Sequence, residues 1–175
     1  MTAPAKTVVT GTPGTGKTTV TKRLADRVDV PIIHLNDEIK HHELWTERDV
    51  DRDSLITDLA AVTAHLGEWE GVLESHLAHH FEADRVIVLR CAPAVLESRL
   101  TERGDPAEKA RENAESEALD VVLSEAVEEH GPESVYEIDT TDRDPRAVVD
   151  EFVAVRNGER SPTAGEVDFT GYLVP

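Results

Sequence analysis

Cysteine, lysine and large aromatic side chains are scarce in this chain, and each scarcity removes a class of protein. Cys91 is the only cysteine among 175 residues, so neither an intrachain disulfide nor a cysteine-built zinc site can form. No apolar run is long enough to span a bilayer, and Met1 to Lys6 leads straight into a β-prone run without a secretory pattern. A cytoplasmic protein is expected. Lysine occurs only at positions 6, 17, 22, 40 and 109, and 36 acidic residues stand against 18 basic ones for a formal net charge of −18. A chain this negative lacks the basic patch on which non-specific nucleic-acid binding depends. The acidic, lysine-poor composition suits a salt-loving organism, because about 1 M salt shrinks the Debye length to roughly 3 Å and removes the self-repulsion.

What the chain does have is Gly11-Thr12-Pro13-Gly14-Thr15-Gly16-Lys17-Thr18-Thr19, which meets the pattern G-x-x-x-x-G-K-[ST] without a mismatch. Glycines at 11, 14 and 16 permit positive φ and close backbone approach, so the N–H groups of this stretch, Thr15 included, can turn inward onto phosphate oxygens. Lys17 would reach the β and γ phosphates, Thr18 would hold Mg²⁺ through its hydroxyl, and Thr19 completes the helix N-terminus beneath them. The flanks fit. Thr7–Thr10 is β-prone, and Thr18–Arg27 reads as a helix.

Further along, Val30–His34 reads as a second strand, with Asn36 or Asp37 capping a helix that runs to about Leu44. Thr46–Asp53 is charged and aperiodic and reads as a loop. Leu55, Leu59, Val62 and Leu66 predict a helix over 54–66, ending at Gly67. Gly71–Leu73 opens a third strand that leads into Glu74-Ser75-His76, and Arg85–Arg90 is the clearest buried strand. Pro93 opens a helix that Gly104-Asp105-Pro106 breaks, and one long helix is expected from Ala107 to His130. Val135–Asp139 is the last strand, and Asp144-Pro145 starts the last helix. Strands alternating with helices predict a three-layer α/β fold of the P-loop NTPase type, with five mostly parallel strands. One domain is expected over 1–156, followed by a tail at 157–175 that Phe169, Tyr172 and Leu173 would pin.

A P-loop serves several enzyme classes. The base-reading Asn-Lys-x-Asp element of a GTPase is missing, and the only D-x-x-G, Asp168 to Gly171, lies stranded in the tail. Small kinases need mobile cations over the phosphates, and Arg99 and Arg103 stand one helical turn apart just before a potential lid hinge. A plain helix end with arginines complementing its dipole is the competing reading. His76, His79 and His80 form H-x-x-H-H, with His41-His42 elsewhere; without cysteine, a dedicated metal site is not expected, and His79 and His80 read as loop residues.

Five motifs stand in a fixed order: GTPGTGKTT at 11–19, Glu74-x-His76, Val88-Leu89-Arg90 before Pro93, Arg99-Leu100-Thr101-Glu102-Arg103-Gly104, and Glu112-Asn113-x-x-x-Glu117 with Glu125-Ala126 beyond. Together they resemble the adenylate kinase isoenzyme 6 family, nucleoside monophosphate kinase-like ATPases that also act in small ribosomal subunit assembly. The resemblance implies an acceptor-binding segment over about 34–53, a lid over about 103–113, an ATP contact from Arg103, and AMP as acceptor. It implies a Walker B-like role for Glu74-x-His76, with Glu74 holding Mg²⁺ through water where the family usually has Asp, and His76 positioning a water or acceptor oxygen. Lys40 stands where the family has an Arg for the acceptor phosphate, and a point charge replaces a bidentate fork. Asp37 would contact the acceptor or only cap its helix. The implied cofactor is Mg²⁺ with ATP, and the implied partners are a small-subunit platform ribosomal protein of the S-eleven family and 30S precursors. ATP hydrolysis as a switch, and phosphorylation of another small metabolite such as shikimate or a sugar acid, are the alternatives to nucleotide transfer.

Overall fold

The computed structural model describes residues 6–51 and 54–175. Met1 to Ala5, and the Arg52-Asp53 end of the acceptor segment expected over 34–53, lie outside the described residues. Strand β1 (Lys6–Thr10) is central, flanked by β5 (Gly71–Glu74) and β6 (Arg85–Arg90), with β2 (Ile32–His34) beyond β5 and β7 (Val135–Asp139) beyond β6. Every pairing in this five-stranded sheet is parallel. Parallel neighbours need crossover connections, so both faces are covered and the strands read as continuous apolar runs.

Alternation on β6 sorts the two cores. Val86 and Val88 join Val8 and Leu73 against α2 (Leu35–His41), α3 (Leu59–Leu66) and α6 (Val121–His130). Ile87 and Leu89 join Val9 and Ile138 against α1 (Lys17–Leu24) and α7 (Pro145–Arg156) on the opposite face. The expected three layers are present. A satellite cluster of Cys91, Leu96, Leu100 and Ala110 packs α4 (Pro93–Arg103) onto α5 (Ala107–Ala118). Helix α4 opens on Pro93 as expected, and α7 opens on Pro145 with the Asp144 carboxylate accepting from Arg146 N at 2.9 Å. No described helix is long and apolar enough to cross a membrane.

Four local expectations are corrected. The loop expected over 46–53 contains a strand: Trp45–Asp49 (β3) pairs antiparallel with Ser54–Thr57 (β4), Trp45 opposite Thr57 and, after a bulge that shifts the register, Glu47 opposite Ile56 through Asp49 opposite Ser54. Trp45 packs against the core, whereas Thr46, Glu47 and Arg48 are all exposed, so β3 shows no apolar alternation in sequence. The helix expected from Ser54 therefore starts only at Leu59, where the Asp58 carboxylate accepts from Ala61 N at 3.0 Å; it ends at Gly67 as expected. The helix after β2 starts at Leu35, before Asn36 and Asp37, and stops at His41. Asn36 Oδ1 instead accepts from Ser75 Oγ at 2.7 Å.

The long helix expected over 107–130 is two helices, because Asp120 adopts a left-handed φ of 56° between them. Its carboxylate accepts from Arg90 Nη2 at 2.5 Å, an attraction that a continuing helix would forgo. A short polar side chain tolerates that conformation better than most. Leu119 consequently turns outward and is 60% exposed.

The tail lies along β7. Glu166 N and Val167 N donate to Glu137 Oε2 at 2.9 and 3.1 Å, and Glu137 N donates to Thr163 Oγ1 at 2.7 Å. Phe169 stacks 5.3 Å from the Arg90 guanidinium, and Tyr172 OH donates to Glu97 at 3.0 Å. Leu173, expected to help pin the tail, is 41% exposed.

Candidate active site

The loop after β1 runs through Gly11, Gly14 and Gly16 at φ of 149°, 92° and 102° before α1 begins at Lys17. Glycine is required at the first two positions for space as well as conformation. A Cβ at Gly11 would stand 2.6 Å from the Leu89 carbonyl oxygen, and one at Gly14 would stand 2.8 and 2.9 Å from methyls of Leu96 and Leu100. The loop is thereby seated between the end of β6 and helix α4. Thr15 Oγ1 donates to Thr12 O at 2.9 Å and tightens the turn. Lys17 Nζ donates to Gly11 O at 2.9 Å and Thr12 O at 3.1 Å, curling the ammonium over the cradle. Burial holds that ammonium down at about 8, against the opposing pull of Glu74 and Glu117. Thr18 and Thr19, both exposed, complete the rim.

Glu74 ends β5 and is 6% exposed; its Oε2 pairs with His34 Nδ1 at 3.0 Å. Two residues on, His76 lines the same cleft. Burial first, and the Lys17 charge second, push its imidazole down to about 4. His76 is therefore neutral in the fold at neutral pH. The unfolded chain gains its proton near 6.5 and the folded chain only near 4, so this contribution to stability is complete above about 6.5 and is lost as pH falls through 4. His76→Gln, which does not ionise, is expected to flatten the loss of stability between pH 6.5 and 4.5 by about 2–3 kcal/mol, read from urea midpoints at molar salt. An unchanged acid slope would refute it.

Arg99 and Arg103 occupy different environments. Arg99 Nη1 donates to Gly14 O at 3.3 Å and Nη2 to Thr140 O at 3.3 Å, while Thr140 Oγ1 donates to Thr15 O at 2.8 Å. Arg99 and Thr140 thus grip the P-loop through the carbonyls of Gly14 and Thr15. Arg103 ends α4 and pairs with Asp105 at 2.7 Å, with a side chain 56% exposed. Gly104 caps that helix at φ of 100°. An exposed pair of this kind contributes at most about 1 kcal/mol, so a phosphate can recruit the guanidinium at little cost.

A cleft of about 1440 Å³ joins these parts, lined by the P-loop and also by Asn36, Lys40 and Ser54. Lys17, Glu74, His76, Arg99 and Arg103 all line it. Asp37 instead lines an adjoining open depression of about 460 Å³ with Glu38, Lys40 and His41, and Lys40 borders both. Thr140, Arg143 and Lys109 reach the cleft although no motif marks them as site residues. The first two do so because parallel topology gathers the loops after the strands at one edge. Lys109 did carry a signal, as one of few lysines and the one inside the expected lid.

Glu117, which belongs to the family motif but carried no role in the sequence reading, has one in the fold. From α5 it accepts from Thr12 Oγ1 at 2.9 Å, Cys91 N at 2.8 Å and Arg90 Nε at 3.2 Å, tying the phosphate loop to the start of α4. His79, expected in a loop, lies in a 3₁₀ turn over Ala78–His80 and is 1% exposed.

A family model described as AAA domain matches residues 8–120, from β1 to the break at Asp120. A protein of Natronomonas pharaonis named "Putative adenylate kinase" is 60% identical over 169 residues, covering 96% of this chain and 99% of its own length. The chain belongs to this archaeal adenylate kinase family. Members of the same name from Halobacterium salinarum and Methanocaldococcus jannaschii are 55% and 39% identical, over 96% and 93% of this chain and 99% and 91% of their own. Among solved structures, a shikimate kinase from Bacteroides thetaiotaomicron aligns with a TM-score of 0.60 at 21% identity, covering 87% of this chain and 98% of that one. A gluconokinase from Sinorhizobium meliloti 1021 aligns at 0.55 and 18%, covering 90% and 97%. At such identities the likeness is one of fold: the archaeal adenylate kinase family shares the P-loop NTPase architecture of these small kinases.

Proposed function

We propose that this chain transfers the γ-phosphoryl group of ATP to a nucleoside monophosphate, AMP by preference, so that ATP and AMP become two ADP. The observation that carries this reading is that one cleft is lined by the P-loop, by Glu74 and His76, and by Lys40. The membership of the family agrees with it. The P-loop N–H groups and Lys17 cradle the donor phosphates, Lys40 draws the acceptor phosphate, and Asp37 borders that end. Arg99 keeps the loop in shape, and Arg103 leaves Asp105 to meet the charge on the moving phosphoryl. His76, neutral, is able to accept a hydrogen bond from the acceptor side.

The Thr18 hydroxyl and the buried Glu74 carboxylate form an all-oxygen donor set, which suits Mg²⁺, with Glu74 acting through water. When bound, Mg²⁺ neutralises phosphate charge. The test is an acceptor screen with Mg-ATP at molar salt over the nucleoside monophosphates, shikimate and gluconate. Phosphorylation of AMP at the highest rate supports the reading; transfer only to shikimate or a sugar acid overturns it.

We further infer a second role, consistent with the net charge of −18: an acidic surface attracts a basic protein. A platform ribosomal protein of the S-eleven family, bound during 30S maturation, fits that chemistry through ion pairs at contact distance, which salt screens less than long-range attraction, with ATP hydrolysis releasing it. ATP consumption that ignores AMP but responds to that protein would favour this role over transfer.

A further inference from the structure

Outside the phosphate cradle, the 3₁₀ turn at Ala78–His80 faces helix α6 through three side chains with converging ligand atoms. His79 Nε2 lies 2.7 Å and His80 Nε2 3.6 Å from one and the same atom, Glu125 Oε2. Four-coordinate zinc with ligands at about 2.0–2.2 Å spaces its ligand atoms roughly 3.3 Å apart, and the observed separations bracket that value.

The other nitrogen of each imidazole is already engaged. His79 Nδ1 lies 2.7 Å from Thr10 Oγ1, and His80 Nδ1 lies 2.5 Å from Glu129 Oε1. A carboxylate only accepts, so His80 carries its proton on Nδ1 and, when neutral, turns an Nε2 lone pair toward Glu125. That leaves a lone pair facing a second carboxylate unless a proton or a metal ion lies between them, and in the metal-free chain His79 Nε2 is hydrogen-bonded to the same Glu125 oxygen at 2.7 Å. Carboxylate behind imidazole is the arrangement that orients metal-bound histidines. The turn is also held from behind, since His130 Nε2 contacts the His79 carbonyl at 2.6 Å.

We propose that His79 Nε2, His80 Nε2 and a Glu125 oxygen form a binding site for a divalent transition metal of the zinc class, with a fourth coordination position open to the cleft. Two imidazoles and one carboxylate select this class over Mg²⁺ and Ca²⁺, which prefer oxygen throughout. His80 and Glu125 both line the cleft, so the fourth position is reached by water from there. His79 is fully enclosed, and its Nδ1–H donates to Thr10 once Nε2 is taken by the metal. Binding fastens the turn that follows Glu74-Ser75-His76 to helix α6. The site stands independently of the chemistry read for the cleft.

Cobalt(II) is the probe, titrated into the nucleotide-free full-length chain at molar salt and followed by calorimetry and visible absorption. One equivalent is expected to bind, with the intense bands of a four-coordinate ion. His80→Gln and Glu125→Gln should each weaken binding at least ~10-fold, and Glu129→Gln, at a residue that hydrogen-bonds His80 and is not a ligand itself, by ~10- to 100-fold. The more exposed Glu38–His42–His65 group is the control: His42→Gln combined with His65→Gln should leave the affinity unchanged. Circular dichroism identifies any variant that misfolds, and the remaining ones decide. Absence of saturable binding by the unaltered chain, or affinity that follows the control variant and not His80→Gln and Glu125→Gln, overturns the site.

Discussion

Lys17→Ala is expected to slow ADP formation from ATP and AMP by at least ~10³-fold while the chain keeps its fold. The ammonium is the one cation that the loop itself presents over its cradle, held by Gly11 O and Thr12 O. Its removal leaves the donor phosphates facing amide dipoles alone. Loss of stability should be small, because burial already depresses the Lys17 ammonium to about 8 and the desolvation relieved offsets the two hydrogen bonds lost. Lys17→Arg should recover little, since a planar fork does not replace a compact ammonium among closely packed carbonyls. A coupled assay beside thermal melting at molar salt checks both statements. Retained transfer from ATP to AMP by a folded Lys17→Ala chain would remove the P-loop from the reaction.

Arg90→Met should destabilise the fold by about 3–5 kcal/mol, a fall of roughly 6–20 °C in Tm for a chain of this size. Arg90 is fully buried and donates to Glu117 Oε2 at 3.2 Å, Glu137 Oε1 at 2.5 Å and Asp120 Oδ1 at 2.5 Å. The side chains of Glu117 and Glu137 are 3% and 1% exposed, so the methionine would leave two enclosed carboxylates without a cation. Adding Glu117→Gln and Glu137→Gln to the same chain should restore most of the loss, which separates uncompensated charge from lost packing. A change below about 1 kcal/mol in Arg90→Met would refute the charge account. ATP affinity should fall in parallel, because Glu117 also accepts from Thr12 of the phosphate loop.

These two residues mark the boundary of what was legible in the sequence. Lys17 sits in a motif whose chemistry is local: strand, glycine turn and helix follow each other directly between Lys6 and Leu24, and each obeys a short-range rule. The same holds for β6, for the Pro93 start of α4 and for the Gly67 end of α3. Arg90 reads as the end of an apolar strand and as part of a family motif, but nothing in the sequence gives it a partner; its carboxylate partners come from α5, the break after it and β7, up to 47 residues away. The break at Asp120 was illegible for the same reason, since helix formers stand on both sides and its electrostatic partner lies 30 residues back. The β3–β4 hairpin escaped notice because exposed Thr46, Glu47 and Arg48 leave no apolar period. At the cleft, motif residues came together, whereas Thr140 and Arg143 are placed by topology, and Glu117 acts through contacts that only the folded chain creates.

The hold of the tail on Glu137 bears on how this protein comes off the ribosome. The amides of Glu166 and Val167 that satisfy the buried carboxylate follow every strand of the sheet in chain order. A nascent chain that has already emitted β7 still carries Glu137 without those donors, and Arg90 without Phe169 across its guanidinium. The sheet can be laid down during synthesis, but its charged interior closes only after residues 166–169 are made. C-terminal truncation before Thr163 should therefore impair the yield of folded protein more than the exposed position of these residues suggests.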